Sequence, residues 1–148
     1  MAALKTYDPK THDIVFAGIL INEGLADGTF LSVTPDVAGF SVKVGADGEV
    51  TRTRMHNDVR TATVTVMQTS EVNQRLSALY NADRRGVNGE GVGVFFVQDR
   101  VTGSVDLTFA KSFISQDPDV VLEPEATTRD WTFILTDGEV NHNGSPDN

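Results

Sequence analysis

The chain has 148 residues, an apolar fraction of 39%, no cysteine, and 21 acidic against 12 basic residues for a formal net charge of −9. That length fits one domain with one sizeable core, and that apolar content argues against wholesale disorder. The acidity argues against a nucleic-acid binder, which needs a concentrated basic surface, and against docking on anionic lipid; its plainest reading is solubility.

The absence of cysteine excludes disulfides and thiolate–metal sites and fits a reducing cytoplasm. No window approaches the roughly 18 uninterrupted apolar residues of a membrane span. The opening MAALKTYDPKTHD has no apolar h-region, so no secretory signal is expected.

Residues 1–12 carry turn chemistry, Tyr7-Asp8-Pro9 then Lys10-Thr11-His12, and are expected as an N-terminal arm. Residues 13–21, DIVFAGILI, are a nearly continuous apolar run expected as one strand buried on both faces. Turn signals at Asn22-Glu23-Gly24 and Ala26-Asp27-Gly28 lead into a strand over 29–34, stopped by Pro35, which cannot donate to a ladder.

Residues 40–58 predict an extended hairpin. Phe40, Val42 and Val44 alternate onto one face, which the pattern assigns to the core. Gly45-Ala46-Asp47-Gly48 supplies the turn, since Asp-Gly between alternating arms tolerates the positive φ that hairpins need. The return arm, 49–55, is unusually polar, with Val50 its only clearly apolar interior residue. Arg52 and Arg54 alternate with Thr51 and Thr53, which puts both arginines on one strand face. That face is either solvated or meets carboxylates of a neighbouring subunit. Residues 60–69 then alternate cleanly, with Ala62, Val64 and Val66 inward.

At Ser70 the period changes. Ser70 is a good N-cap, Glu71 suits the positive end of the helix dipole, and Val72, Leu76, Leu79 and Tyr80 make one apolar stripe. Arg84 and Arg85 fill the last turn and Gly86 sits at the C-cap, so a single helix over 70–85 lies against the sheet. A glycine-rich connection, 86–93, leads to a strand over 92–99. A further strand over 104–115 shares Val105, Leu107, Phe109 and Phe113 on one face. Pro118 and Pro124 bracket a loop. The last strand, 127–136, points Trp131, Phe133 and Leu135 inward and is closed by Asp137-Gly138, and the polar tail 139–148 is expected to fray. The whole predicts a mainly β fold, an antiparallel β-barrel or sandwich of about seven strands with one flanking α-helix, in a single domain spanning 1–148.

Catalytic and ligand-binding chemistry finds little support. His12, His56 and His142 fall in the arm, the hairpin region and the tail, without metal-ligand spacing, and read as lone surface histidines. There is no Gly-x-Ser-x-Gly elbow. Gly89-Glu90-Gly91-Val92-Gly93 follows a helix and precedes a strand, the reverse of a phosphate-cradling loop. Asp47 and Glu49 lack the spaced oxygen ligands of a calcium loop, and Asp117-Pro118-Asp119 has no partner in sequence. Asn143-Gly144-Ser145 has the form of a glycosylation sequon but is followed by Pro146 and reads as chance. No catalytic residue, metal site or cofactor is assigned.

Several stretches, in order, resemble the tail tube protein of contractile-tailed bacteriophages: residues 4–10 (LKTYDPK), 24–30 (GLADGTF), 44–52 (VGADGEVTR), 68–70 (QTS) ahead of the helix, and 127–132 (TTRDWT). The resemblance covers nearly the whole chain, whereas 53–58 (TRMHND) departs from the pattern and the polar tail is longer than the fold needs. It implies a non-enzymatic subunit that forms hexameric rings stacked into a hollow tube inside a contractile sheath. Its implied partners are its own copies, the sheath, tape-measure, baseplate hub and tail terminator proteins, and genomic DNA passing through the lumen without tight binding. Neither a membrane nor a cofactor is involved, and the place is the virion tail, assembled in the host cytoplasm.

With that resemblance, the polar hairpin becomes the expected inter-subunit or inter-ring contact: Gly45, Ala46, Asp47, Gly48, Glu49, Thr51, Arg52, Arg54, His56 and Asp58. Two alternatives remain at this stage. One is a subunit of a related contractile injection machine; the other is a β-sandwich binding module with Trp131, Tyr80 or Tyr7 as its contact platform.

Overall fold

Alternating side chains become nine strands and one α-helix among the described residues of the computed structural model, 4–144. The outermost residues of the arm (1–3) and of the tail (145–148, including Ser145 of the sequon) lie outside the described residues. In chain order the strands are β1 His12–Phe16, β2 Ile19–Ile21, β3 Leu31–Pro35, β4 Phe40–Val44, β5 Val50–Arg54 and β6 Arg60–Met67, then helix α1 Val72–Arg85, β7 Gly93–Asp99, β8 Val105–Gln116 and β9 Thr128–Val140. Seven strands form one antiparallel sheet in the order β2-β1-β7-β8-β9-β6-β3, and β4 with β5 form a separate two-stranded sheet.

The large sheet curls without closing. In a flat sheet β1 and β9, three places apart, would stand roughly 14 Å from each other. Yet Phe16 of β1 meets Phe133 of β9 edge-on at 5.0 Å between ring centroids, and Phe95 of β7 meets Phe133 at 5.2 Å. Curling puts the inward faces of β1, β6, β7, β8 and β9 around one core that contains Ile14, Phe16, Val64, Phe95, Phe109, Trp131 and Phe133. The terminal strands β2 and β3 do not pair with each other, so the architecture is an open half-barrel.

The helix covers the core beside β2, burying Val72 and Leu76. The Ser70 hydroxyl accepts from Val72 N at 3.3 Å and itself donates to the Glu23 carbonyl at 2.9 Å, which ties the helix start to the turn before β3. Gly24 makes that approach possible: it adopts φ +68, and a Cβ there would lie 2.6 Å from the Ser70 Cβ. Asn73 is the principal clip. Its Oδ1 accepts from Trp131 Nε1 at 2.9 Å, while its Nδ2 donates to the carbonyls of Met67, Ser70 and Gln68 at 2.9, 3.2 and 3.3 Å.

Four expectations change. Residues 13–21 are two strands, because Ala17 (φ 50) and Gly18 (φ 82) turn the chain back on itself between Phe16 and Ile19. In β8 the inward phase switches after Phe109, so Ser112 and Ile114 turn inward and Phe113 does not share the Phe109 face. The cause is an extra β8 residue opposite the Gly93–Phe95 step of β7, a bulge that reverses the alternation. Asp137-Gly138 does not end β9: Asp137 takes φ 60 and the strand continues to Val140, two residues into the expected tail. Finally, Phe40–Val44 is not core, as described next.

Candidate assembly surface

The chain between the paired residues Pro35 of β3 and Arg60 of β6 leaves the main sheet as a ribbon. Asp36 N donates to the Val59 carbonyl (3.1 Å) and Met55 N to the Gly39 carbonyl (2.9 Å), which carries the two-stranded pairing outward into β4 and β5. At about 3.3 Å per residue, the eleven steps from Asp36 to Asp47 reach up to roughly 35 Å. The tip is a tight loop. Gly48 N donates to the Gly45 carbonyl (3.0 Å), Gly45 N donates to the Glu49 carbonyl (2.7 Å), and Gly48 sits at φ +90. The Asp47 carboxylate accepts from Glu49 N at 3.1 Å, so this acid is spent on its own turn.

Every residue of β4 and β5 is exposed, which corrects the assignment of Phe40, Val42 and Val44 to the core. Alternation shows which residues share a face; it does not supply anything to cover that face. Cross-strand pairing sets Phe40 opposite Arg54, Val42 opposite Arg52 and Val44 opposite Val50, so one face holds four apolar side chains and both arginines. The other face carries Ser41, Lys43, Thr51 and Thr53. The Arg52 guanidinium stacks 4.4 Å from the centroid of the Phe40 ring and that of Arg54 lies 5.9 Å away.

Phe40, Val42, Val44 and Val50 are 48, 67, 62 and 63% exposed. Full burial of such side chains is worth about 1.5–3 kcal/mol each, so this face holds roughly 4–7 kcal/mol of apolar burial unrealised in the single chain. A two-stranded ribbon is marginal without a partner surface. The arrangement suits binding to another protein.

The ten sequence-predicted residues do not share one surface. Ala46, Asp47 and Gly48 form the tip, with Gly45 and Glu49 flanking it; Arg52 and Arg54 lie on the apolar face and Thr51 on the opposite one. His56 and Asp58 sit in the exposed linker at the ribbon's base, off both strands. What sequence reasoning missed is the apolar half of the surface, although the alternation of Phe40, Val42 and Val44 was its signal.

The histidines also separate. His12 is not a lone surface residue: it opens β1, half-buried, with Nε2 3.4 Å from an Asp106 carboxylate oxygen that β7 and β8 bring across the sheet. Opposite it in register stands Asp99, whose carboxylate accepts from Val101 N at 2.9 Å. That backbone bond, with help from the Thr11 hydroxyl, the His12 charge and the Thr102 hydroxyl, holds the Asp99 carboxyl below its ordinary value against the opposing effect of burial. Beside these groups a groove of about 610 Å³ opens between β1 and β3, lined by Ile14, Leu31, Val33, Val97 and Leu107. Among the described residues no three His, Cys, Asp or Glu side chains gather as a metal site would require.

Trp131, one of the three aromatics of the binding-module reading, is 3% exposed and hydrogen-bonded to Asn73, as its inward alternation with Phe133 and Leu135 predicts. Tyr80 packs partly buried against the core, while Tyr7 is exposed, its ring 6.0 Å from that of His12, so of the three aromatics of the binding-module reading Tyr7 alone is exposed.

Comparison with known proteins gives a family match, a sequence relative and likenesses of fold. The family model of the bacteriophage PhiTE tail tube protein matches residues 20–141. Structural protein ORF10 of Pseudomonas phage KPP10 is 30% identical over 122 residues, covering 82% of this chain and 70% of that protein. Among solved structures, a chain of the anti-feeding prophage tube terminating cap superposes with a TM-score of 0.56 at 8% identity, over 95% of this chain and 94% of that one. A chain of the PVC extracellular contractile injection system sheath/tube terminator gives 0.57 at 8% identity, over 95% and 99%. One from the PVC sheath–tube complex gives 0.54 at 9%, over 92% and 91%. At such identities the likeness to the three solved structures is one of fold.

Proposed function

Since this chain belongs to the bacteriophage PhiTE tail tube protein family and is a structural tail component, we propose that it self-assembles into hexameric rings that stack as the hollow inner tube of a contractile tail. The observation that carries this reading is the ribbon of β4 and β5, whose apolar face is left uncovered in the single chain. The outer edges of β2 and β3, the terminal strands of the main sheet, support it. Open edges and bare apolar faces are hazards for a monomer, and a heterologous contact that closes into a ring turns them into interfaces. Stacking of such rings gives a filament.

In this reading strands of neighbouring subunits line the lumen, and the ribbon tip and stem, from Gly45 to Asp58, bridge to the next subunit or ring. The net charge of −9 gives the tube a surface that repels phosphate, so DNA slides through without adhering. Sheath and terminator proteins dock outside and at the end, the tape-measure protein occupies the lumen before ejection, and the hub begins the tube. Assembly takes place in the host cytoplasm and the product resides in the virion tail. The phage relatives favour a phage tail over an injection machine.

Deleting residues 46–58 tests the proposal. The variant is expected to keep its buried Trp131 and remain a folded monomer, while the full chain forms rings or tubes in negative-stain images of concentrated protein. Normal tubes from the deletion variant would overturn the role given to the ribbon.

A further inference from the structure

The apolar ribbon face has a counterpart elsewhere on the chain. Residues 117–127, between β8 and β9, run as an irregular loop, DPDVVLEPEAT, that exposes Val120, Val121 and Leu122 at 85, 41 and 81%. Three consecutive apolar residues on a loop are unusual where nothing covers them. Exposed carboxylates flank them on both sides: Asp117 and Asp119 before, Glu123 and Glu125 after. The loop is held in shape. Arg129 donates from Nη1 to the Val121 carbonyl at 3.3 Å, and Gln68 Oε1 accepts from the backbone N and hydroxyl of Thr127 at 3.1 and 3.3 Å. Pro118 and Pro124 restrict the backbone further.

This ridge is the charge complement of the ribbon. It is apolar with acidic flanks; the ribbon face is apolar with two arginines, and among the described residues neither arginine pairs with a carboxylate. Both patches are exposed, so they do not cover each other within one chain. A chain of net charge −9 repels its own copies, and self-association needs a local contact of opposite sign to overcome that repulsion.

We infer that the face of the ribbon bearing Phe40, Val42, Val44 and Val50 docks on the Val120–Leu122 ridge of a second copy, with Arg52 and Arg54 set among Asp119 and Glu123. The choice of a second copy as occupant rests on the tail-tube reading. Because ribbon and ridge are different parts of the same chain, the contact is heterologous: each copy gives one and receives one, as a ring or a stack of rings requires.

The absence of native cysteine makes the test clean. Val42→Cys and Val121→Cys are introduced together, and the assembled protein is oxidised. Docking predicts a ladder of disulfide-linked oligomers from the double variant, none from either single variant, and dimers alone from an equal mixture of the two singles. In parallel, Arg52→Glu/Arg54→Glu raises the concentration needed for assembly at least tenfold, and adding Asp119→Arg/Glu123→Arg restores it. Retained Trp131 emission shows that each variant is folded. Wild-type assembly with no ladder from the double variant defeats the docking alone, and a disulfide-linked dimer from Val42→Cys by itself puts a second ribbon on the face and also defeats it. A wild-type chain that stays monomeric at every concentration defeats the tail-tube reading and the docking with it.

Discussion

Replacing Asn73 by Ala unclips the helix from the sheet, and its cost can be worked from the contacts. The change leaves the Trp131 indole N–H, on a side chain 3% exposed, without its partner at 2.9 Å. An unsatisfied buried donor costs about 1–3 kcal/mol, and each lost net hydrogen bond to the Met67, Gln68 and Ser70 carbonyls adds up to about 1 kcal/mol. Those carbonyls are partly solvated, and Ala recovers roughly 0.5 kcal/mol of helix propensity. The balance is a loss of about 2–4 kcal/mol, or roughly 6–12 °C in Tm for a domain of this size. Urea unfolding followed by Trp131, the only tryptophan, reads this as a lower midpoint at constant slope. Asn73→Asp is the decisive control: it keeps the acceptor for Trp131 but points a carboxylate oxygen at three carbonyls, so it costs more than Ala. An Ala variant within about 0.5 kcal/mol of wild type, or an Asp variant milder than Ala, would refute the clip.

Gly138→Ala places a Cβ on the Thr108 carbonyl oxygen and 2.6 Å from the Phe109 Cα, backbone atoms that no rotamer change can move. It is expected to cost about 3 kcal/mol or more by parting β8 from β9, and a loss under about 0.5 kcal/mol in the same urea assay would contradict that. Asp99 has a folded pKa below its ordinary 3.8, so it contributes stability above that pH and loses it as pH falls through the folded pKa. Asp99→Asn removes that contribution, so acid titration of thermal stability below pH 3.8 is predicted to be shallower in the variant, and identical acid limbs would count against the assignment.

Where local chemistry settles the structure, the sequence is legible. The period-two run from Arg60 to Met67 and the inward Trp131, Phe133 and Leu135 needed only alternation, and the helix needed only its stripe and its basic last turn. The reversal after Phe16 was hidden because Ala17 adopts a left-handed φ that its side chain does not advertise. The phase switch in β8 was hidden because a bulge is a property of the pair of strands, and alternation in one strand carries no sign of it. His12 looked solitary because Asp106 lies 94 residues away and reaches it only through sheet order. The ribbon shows the deepest limit. Its alternation, turn and arginine face were readable, but its apolar side chains looked like core because a buried and a bare apolar face have the same pattern in one chain. What covers such a face lies outside the information that a strand's own periodicity carries.

Electron cryo-microscopy of the purified chain, followed across a concentration series, shows whether the ribbon joins copies into a tube. Stacked rings with sixfold symmetry are expected in end-on views, with a reconstruction in which the β4–β5 ribbon leaves its own subunit and lies against another. A chain that remains monomeric throughout, or tubes in which the ribbon faces solvent, would contradict that arrangement.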